Sequence, residues 1–161
     1  MTGFVKKLMA MGLLAGIGAM DAAAWGEFTW PVTGRVTTTW YARRPYGYHG
    51  AIDIGAPYWR AVGPARSGTV SFRGWSGGYG NLVIVRHSGS YTTYYAHNIR
   101  FGSGGWVTRA STISYIGSTG NSTGPHCHFE IRRYGVKRYI PSYQWQYLYR
   151  GRAVPYTYYG L

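Results

Sequence analysis

Along the 161-residue chain, apolar and polar positions alternate over short runs separated by glycine-containing breaks. The runs are RVTTTW, AIDI, GTVSFRGW, NLVIVRH, YTTYYAH, TISYIG and HCHFEIRR. A period of two in segments rich in Val, Ile, Thr and Tyr predicts strands that bury one face. The breaks SGGYGN at 76–81 and RHSGSY at 86–91 have the composition of hairpin connections, so residues 68–97 are expected to form a three-stranded meander. The body is therefore read as mainly β, a compact antiparallel sheet domain without internal repeats.

The two ends read differently. Lys6 and Lys7 precede an apolar run of about thirteen residues that leads to Ala22, Ala23 and Ala24, the layout of a secretory signal peptide over 1–24. The run is short against the roughly 20 residues of a membrane span. An uncleaved membrane anchor, a virion-embedded segment and a buried helix remain open for it. Residues 143–161, YQWQYLYRGRAVPYTYYGL, are expected to pack on the domain as an aromatic tail, with a wall-binding or assembly surface as the alternative. Residues 25–142 are left as the working domain, enough for a modest core.

Composition narrows the chemistry. Seventeen Lys and Arg against four Asp and Glu give a formal charge of +13, which attracts polyanions: nucleic acid, anionic lipid or anionic cell wall. Charge alone selects none of them. The four carboxylates are Asp21, Glu27, Asp53 and Glu130. A usual glycosidase needs two opposed carboxyl groups, so an enzyme that cuts sugar chains is hard to build here. Cys127 is the only cysteine, which excludes an intrachain disulfide and a thiolate metal cluster. The glycine-rich GWSGGYG and GSTGNSTG lack the spacing of a phosphate-binding loop and read as strand connections.

Three of the five histidines lie in two tight groups, His49 with Asp53 in HGAID and His126 with His128 in HCH. Residues two apart on a strand share a face, so His126 and His128 converge while Cys127, Phe129 and Ile131 face the core. If residues 49–53 are also extended, His49 and Asp53 share one side and Ile52 and Ile54 the other. Two imidazoles and one carboxylate make a catalytic zinc set with an open fourth position. Glu130 shares the His126 and His128 face, either to accept a hydrogen bond from a ligand imidazole or simply at the sheet surface. Tyr46 and Tyr48 precede His49 and offer hydroxyl donors for a tetrahedral oxyanion, as substrate-binding candidates.

Taken together, HGAID, the later YAH and the terminal HCH resemble the marks of the lysostaphin-like zinc endopeptidases of the M23 peptidase family. The likeness runs from about Trp30 to Tyr143 and includes WPVTGRVTTTW, YHGAIDIGAP and GSTGNSTGPHCHFEIRR. It implies a barrel-sandwich hybrid with a duplicated hybrid motif and a site in a groove between loops. It also implies one Zn2+ held by His49, Asp53 and His128, with His97 and His126 as catalytic residues beside the attacking water. The implied activity is hydrolysis of peptide bonds in bacterial peptidoglycan, in a stem peptide or cross-bridge. The enzyme would be secreted, periplasmic, wall-associated or carried on a phage virion, with the anionic wall as partner and no specific nucleic acid. His87 falls outside the metal set and is expected to be structural. YWRAVGPARSG replaces the family's small turn after the first motif, and Ala110 and Ser111 replace a common Gly-Gln pair, which bears on loop shape and substrate choice. The rival reading is a noncatalytic wall-binding or assembly module.

Overall fold

A computed structural model describes residues 28–154. The leader expected over 1–24 and the last part of the aromatic tail, 155–161, lie outside the described residues. The chain forms β1 (Gly34–Thr38), β2 (Arg43–Arg44), β3 (Gly47–Tyr48), β4 (Ile52–Gly55), β5 (Ala61–Val62), β6 (Gly68–Trp75), β7 (Asn81–Arg86), β8 (Tyr91–Ala96), β9 (Asn98–Phe101), β10 (Trp106–Val107), β11 (Ser114–Ile116), β12 (His126–Arg133), β13 (Val136–Arg138) and β14 (Tyr147–Leu148). All strand pairings among them are antiparallel. A single turn of 3-10 helix, Gly77–Tyr79, sits between β6 and β7. Among the described residues no helix is long and apolar enough to cross a membrane.

Each of the seven alternating runs contains a strand, and 68–97 is the meander β6–β7–β8. The large sheet runs β10-β6-β7-β8-β12-β4-β1-β14, with β13 also on β12. A smaller sheet runs β5-β11-β9, and β2 and β3 form a separate hairpin. The strands that alternation did not reveal are two to four residues long, too short to display a period.

One apolar cluster joins the sheets. Cys127, Phe129 and Ile131 of β12 and Ile52 and Ile54 of β4 are fully buried, together with Val62, Ile113 and Ile116 on the small-sheet side. Burying each such Val, Ile or Phe side chain contributes about 1.5–3 kcal/mol. The period-two argument thus holds along β12, with His126, His128 and Glu130 on the opposite side from the core residues.

The extended path expected for 49–53 is not what forms. His49 ends the β2–β3 hairpin, its N–H donating to the Ala42 carbonyl at 2.9 Å, the chain then turns at Gly50 with φ +64°, and β4 starts only at Ile52. His49 therefore meets Asp53 through a turn, not through strand parity. At the other wall, His97 occupies the corner where the chain leaves the large sheet after β8 and enters the small sheet at β9. Its φ of +63° is uncommon for a residue with a side chain, and its N–H donates to the Tyr79 carbonyl at 2.9 Å. The tail returns to the large sheet as β14, where Leu148 is buried while Tyr143, Trp145, Tyr147 and Tyr149 stay exposed.

Candidate metal centre

β4 and β12 are neighbours in the large sheet, and the register sets His128 directly opposite Asp53. Opposed residues share a face, so imidazole and carboxylate meet: His128 Nδ1 lies 2.9 Å from Asp53 Oδ1. His49 Nε2 lies 3.2 Å from the same oxygen and 3.1 Å from His128 Nδ1. Donor atoms about 2.0–2.1 Å from a tetrahedral zinc are about 3.3 Å apart. The triangle of His49, Asp53 and His128 therefore has the dimensions of three zinc ligands, slightly contracted.

The outer hydrogen bonds make the same point chemically. His49 Nδ1 lies 3.3 Å from the Thr39 carbonyl, and His128 Nε2 lies 2.9 Å from Glu130 Oε1. Those acceptors take the proton of each neutral ring and leave the facing nitrogens as bare lone pairs. Two lone pairs and a carboxylate oxygen then converge with nothing between them to donate, an arrangement that calls for a cation. The residues fit the metal that the sequence implies. Burial alone would raise the Asp53 pKa, but where protons rather than an ion sit on the facing nitrogens, hydrogen bonds and charge from His128 and His49 outweigh it and hold the carboxyl far below its usual range. For His128, burial disfavours a proton while Asp53 and Glu130 favour one, and the net direction is upward.

Glu130 is fully buried and fully engaged. Its Oε1 takes the Tyr79 hydroxyl at 2.9 Å, His128 Nε2 at 2.9 Å and Lys137 Nζ at 2.7 Å. Its Oε2 takes Arg132 Nε at 2.7 Å and Nη2 at 2.6 Å. Burial pushes the Glu130 pKa up, but His128 and Lys137 bring it down to about 2. A buried carboxylate with this many donors stays ionised and fixes the ring of His128. Of the two roles open to Glu130 in the sequence, the contact with an imidazole, that of His128, is the one present.

His97 and His126 stand over this floor with ring centroids 4.6 Å apart. His97 Nδ1 is held by the Thr119 carbonyl at 2.8 Å, and His126 Nδ1 by the Gly124 carbonyl at 2.8 Å. The Nε2 atom of His126 comes within 3.8 Å of Asp53 Oδ1. Burial is the main reason that the His97 pKa is pushed down to about 4, against the hydrogen bond that the ring donates to the Thr119 carbonyl. That ring is neutral at pH 7 and able to accept a proton.

All five residues line a cleft of about 750 Å3 that also includes Arg44, Tyr79, Asn121 and Ser122. Sequence reasoning missed Arg44, whose Nη2 lies 3.7 Å from Asp53 Oδ2, and Tyr79, which braces Glu130. Burial first, and then the Glu130 charge, push the Tyr79 pKa up to about 12, so its hydroxyl remains a donor to that carboxylate. Tyr46 and Tyr48 do not line the cleft; both are exposed on the β2–β3 hairpin whose Arg44 and Pro45 do. His87 lies outside it too, with Nδ1 on the Ser67 carbonyl and Nε2 on the Thr93 hydroxyl.

The chain is 40% identical over 100 residues to the DD-carboxypeptidase/endopeptidase Mpg of Neisseria meningitidis serogroup B, covering 55% of this chain and 23% of that protein. It is 35% identical over 120 residues to the murein hydrolase activator NlpD of Escherichia coli, covering 70% of this chain and 31% of that one. A zinc-containing peptidase from Vibrio cholerae has a similar structure, with a TM-score of 0.63 at 26% identity over 69% of this chain and 38% of that one. The chain thus spans less than a third of the length of either curated relative. The model of Peptidase family M23 matches residues 47–140, a stretch that contains His49, Asp53, His97, His126 and His128, and the chain belongs to that family.

Proposed function

We propose that this chain is a zinc-dependent endopeptidase that hydrolyses peptide bonds of bacterial peptidoglycan from a secreted, periplasmic or wall-associated position. The observation that carries this reading is the triangle of His49 Nε2, Asp53 Oδ1 and His128 Nδ1, with sides of 2.9–3.2 Å, at the floor of an open cleft. His49, Asp53 and His128 would hold the ion. When bound there, zinc supplies a Lewis acid for the carbonyl and lowers the pKa of water to about 7.

The remaining groups handle protons and orientation. His97 and His126 each keep Nδ1 on a backbone carbonyl, so Nε2 is the nitrogen available to take a proton from the attacking water and return it to the leaving amine. Arg44 places a guanidinium beside Asp53 Oδ2, where it can also meet a substrate oxygen. Tyr46 and Tyr48 would touch only parts of the substrate that extend past the cleft. The +13 charge favours retention on an anionic wall. The Neisseria relative is named for DD-bonds, which favours a D-amino-acid cross-link over a glycine bridge.

The name of the Escherichia coli relative favours a second reading, a noncatalytic activator of other hydrolases. The complete set of three ligands and two flanking imidazoles supports the enzyme. Digestion of purified walls followed by mass spectrometry of the fragments decides between them. Free amines without new reducing sugar ends are expected, abolished by a chelator and restored by zinc. A folded protein that binds walls but releases no amine would establish the module instead, and reducing ends would sink both.

A further inference from the structure

Beside the cleft lies a second groove of about 480 Å3 whose walls include Arg35, Gly55, Arg60, Pro125, Trp145 and Tyr147. Thr37 borders both hollows. The sheet register accounts for their continuity. Tyr147 lies opposite Arg35, Arg35 opposite Gly55, and Gly55 opposite His126. Because opposed residues share a face, one row leads from the candidate catalytic imidazole, across a residue with no side chain, to an arginine and a tyrosine. Three strand spacings of about 4.8 Å make the row about 14 Å long.

The far end of the row is built of exposed rings on a fixed backbone. Trp145 is 62% and Tyr147 46% exposed, although Leu148 beside them is buried. The Trp145 N–H donates to the Val36 carbonyl at 2.7 Å, and the Gln146 carbonyl accepts from the Val36 N–H at 2.9 Å. The Arg35 guanidinium lies 5.7 Å from the centroid of the Tyr147 ring. Trp145 also has φ +67°, a conformation unfavourable outside glycine, and here it sets a large apolar ring on the surface. None of Arg35, Trp145 and Tyr147 falls within the family-matched 47–140.

We propose that this groove is a saccharide subsite, in which an N-acetylated sugar of the wall glycan lies on Trp145 and Tyr147 while Arg35 and Arg60 donate to its oxygens. The inference rests on the peptidoglycan reading above and names the part of that substrate held outside the cleft. A pyranose has an apolar C–H face for aromatic rings and polar edges for guanidinium donors, which is the division of chemistry this groove offers. Length agrees as well. A stem peptide of about four residues, extended at up to about 3.5 Å each, spans about 14 Å. With its amide at His126, the sugar that carries the stem reaches Tyr147.

The test compares a muropeptide dimer that retains its disaccharides with the same peptide dimer stripped of sugar. For the Trp145→Ala/Tyr147→Ala variant, kcat/KM is expected to fall roughly tenfold on the sugar-bearing dimer and to stay unchanged on the bare peptide. Titration calorimetry with a peptide-free tetrasaccharide of alternating N-acetylglucosamine and N-acetylmuramic acid should show saturable binding to the wild type and none to the variant. If the double variant does not fold, as judged by thermal melting, Trp145→Ala alone replaces it, since its backbone bonds to β1 survive. Equal loss on both dimers, or no loss on either, overturns the subsite. If the wild type cleaves neither dimer, the peptidase reading falls. Saccharide binding that disappears in the variant then still upholds the subsite, and a wild type that binds no saccharide overturns it.

Discussion

Two regions of this molecule bury histidines among polar partners, and they use the second ring nitrogen differently. His87 gives Nδ1 to the Ser67 carbonyl at 3.0 Å and Nε2 to the Thr93 hydroxyl at 2.8 Å. That hydroxyl lies 2.6 Å from the Tyr95 hydroxyl, which accepts the Ala65 N–H at 2.7 Å. The chain of bonds closes on itself within the fold. At the cleft, His49, His97, His126 and His128 each commit one nitrogen to a carbonyl or carboxylate and present the other to a shared space. Burial does not distinguish the two regions, because His87 is 6% and His97 5% exposed. The partner of the second nitrogen does: at His87 it is a hydroxyl that can donate, and at His49 and His128 it is one shared acceptor, Asp53 Oδ1. An imidazole whose second nitrogen meets a donor holds structure, and one whose second nitrogen meets an acceptor can take a metal or a proton between them.

The sharpest break of this comparison is at Asp53. Its Oδ1 is the common corner of the triangle, so Asp53→Ala removes one donor of three and the charge that balances the ion. Zinc content measured on the purified variant should fall to background, and amine release with it. Full zinc occupancy would refute the assignment of the ligands.

Next in size are the two flanking rings. His97→Ala and His126→Ala should keep zinc yet lose about 10²- to 10⁴-fold in rate, the range for a group that moves a proton in the transition state. Metal analysis beside kinetics separates this from ligand loss. Zinc lost from His126→Ala but kept in His128→Ala would exchange the roles of the two β12 histidines.

Glu130→Gln should have a smaller effect, because the ligand itself remains. A neutral amide can still accept from His128 Nε2, but it no longer offers the charge that fixes the ring or balances Lys137 and Arg132. Zinc affinity measured by competition with a chelator should weaken about 10- to 100-fold. Unchanged affinity would make Glu130 a partner of the cations alone.

What the sequence disclosed follows from the range of each signal. The faces of β12 were legible because a period of two places His126 and His128 opposite Cys127 and Phe129 without any knowledge of the fold. His49 and Asp53 were paired correctly by spacing but through the wrong path, since Gly50 turns the chain where an extended run was expected. The brace around Glu130 was not legible, because Tyr79 reaches it from 51 positions away through the meander. Nor was the exposure of Tyr46 and Tyr48, which depends on how a two-residue hairpin projects from the domain.

The smallest effect on activity, and the counterpart to the first, is expected at His87. Both of its nitrogens face away from the cleft, so His87→Gln should release amines at nearly the wild-type rate at pH 7. Its signature is in stability. Burial pushes the His87 pKa down to about 4, against the pull of the Ser67 carbonyl, while the unfolded chain keeps a value near 6.5. Above about pH 6.5 the ring is neutral in both states and adds no pH dependence. Between about 6.5 and 4 the unfolded chain takes up a proton that the folded ring resists, so stability is lost as pH falls, on the order of 3 kcal/mol by the lower limit. Urea unfolding followed from pH 8 to pH 4 should therefore show a shallower decline in His87→Gln than in the wild type, from a lower starting stability because the bond to Thr93 is disturbed. An unaltered decline would mean that the ring takes up its proton without leaving the fold. A collapse in rate at pH 7 would mean that the partner of the second nitrogen does not separate the structural histidine from those of the cleft.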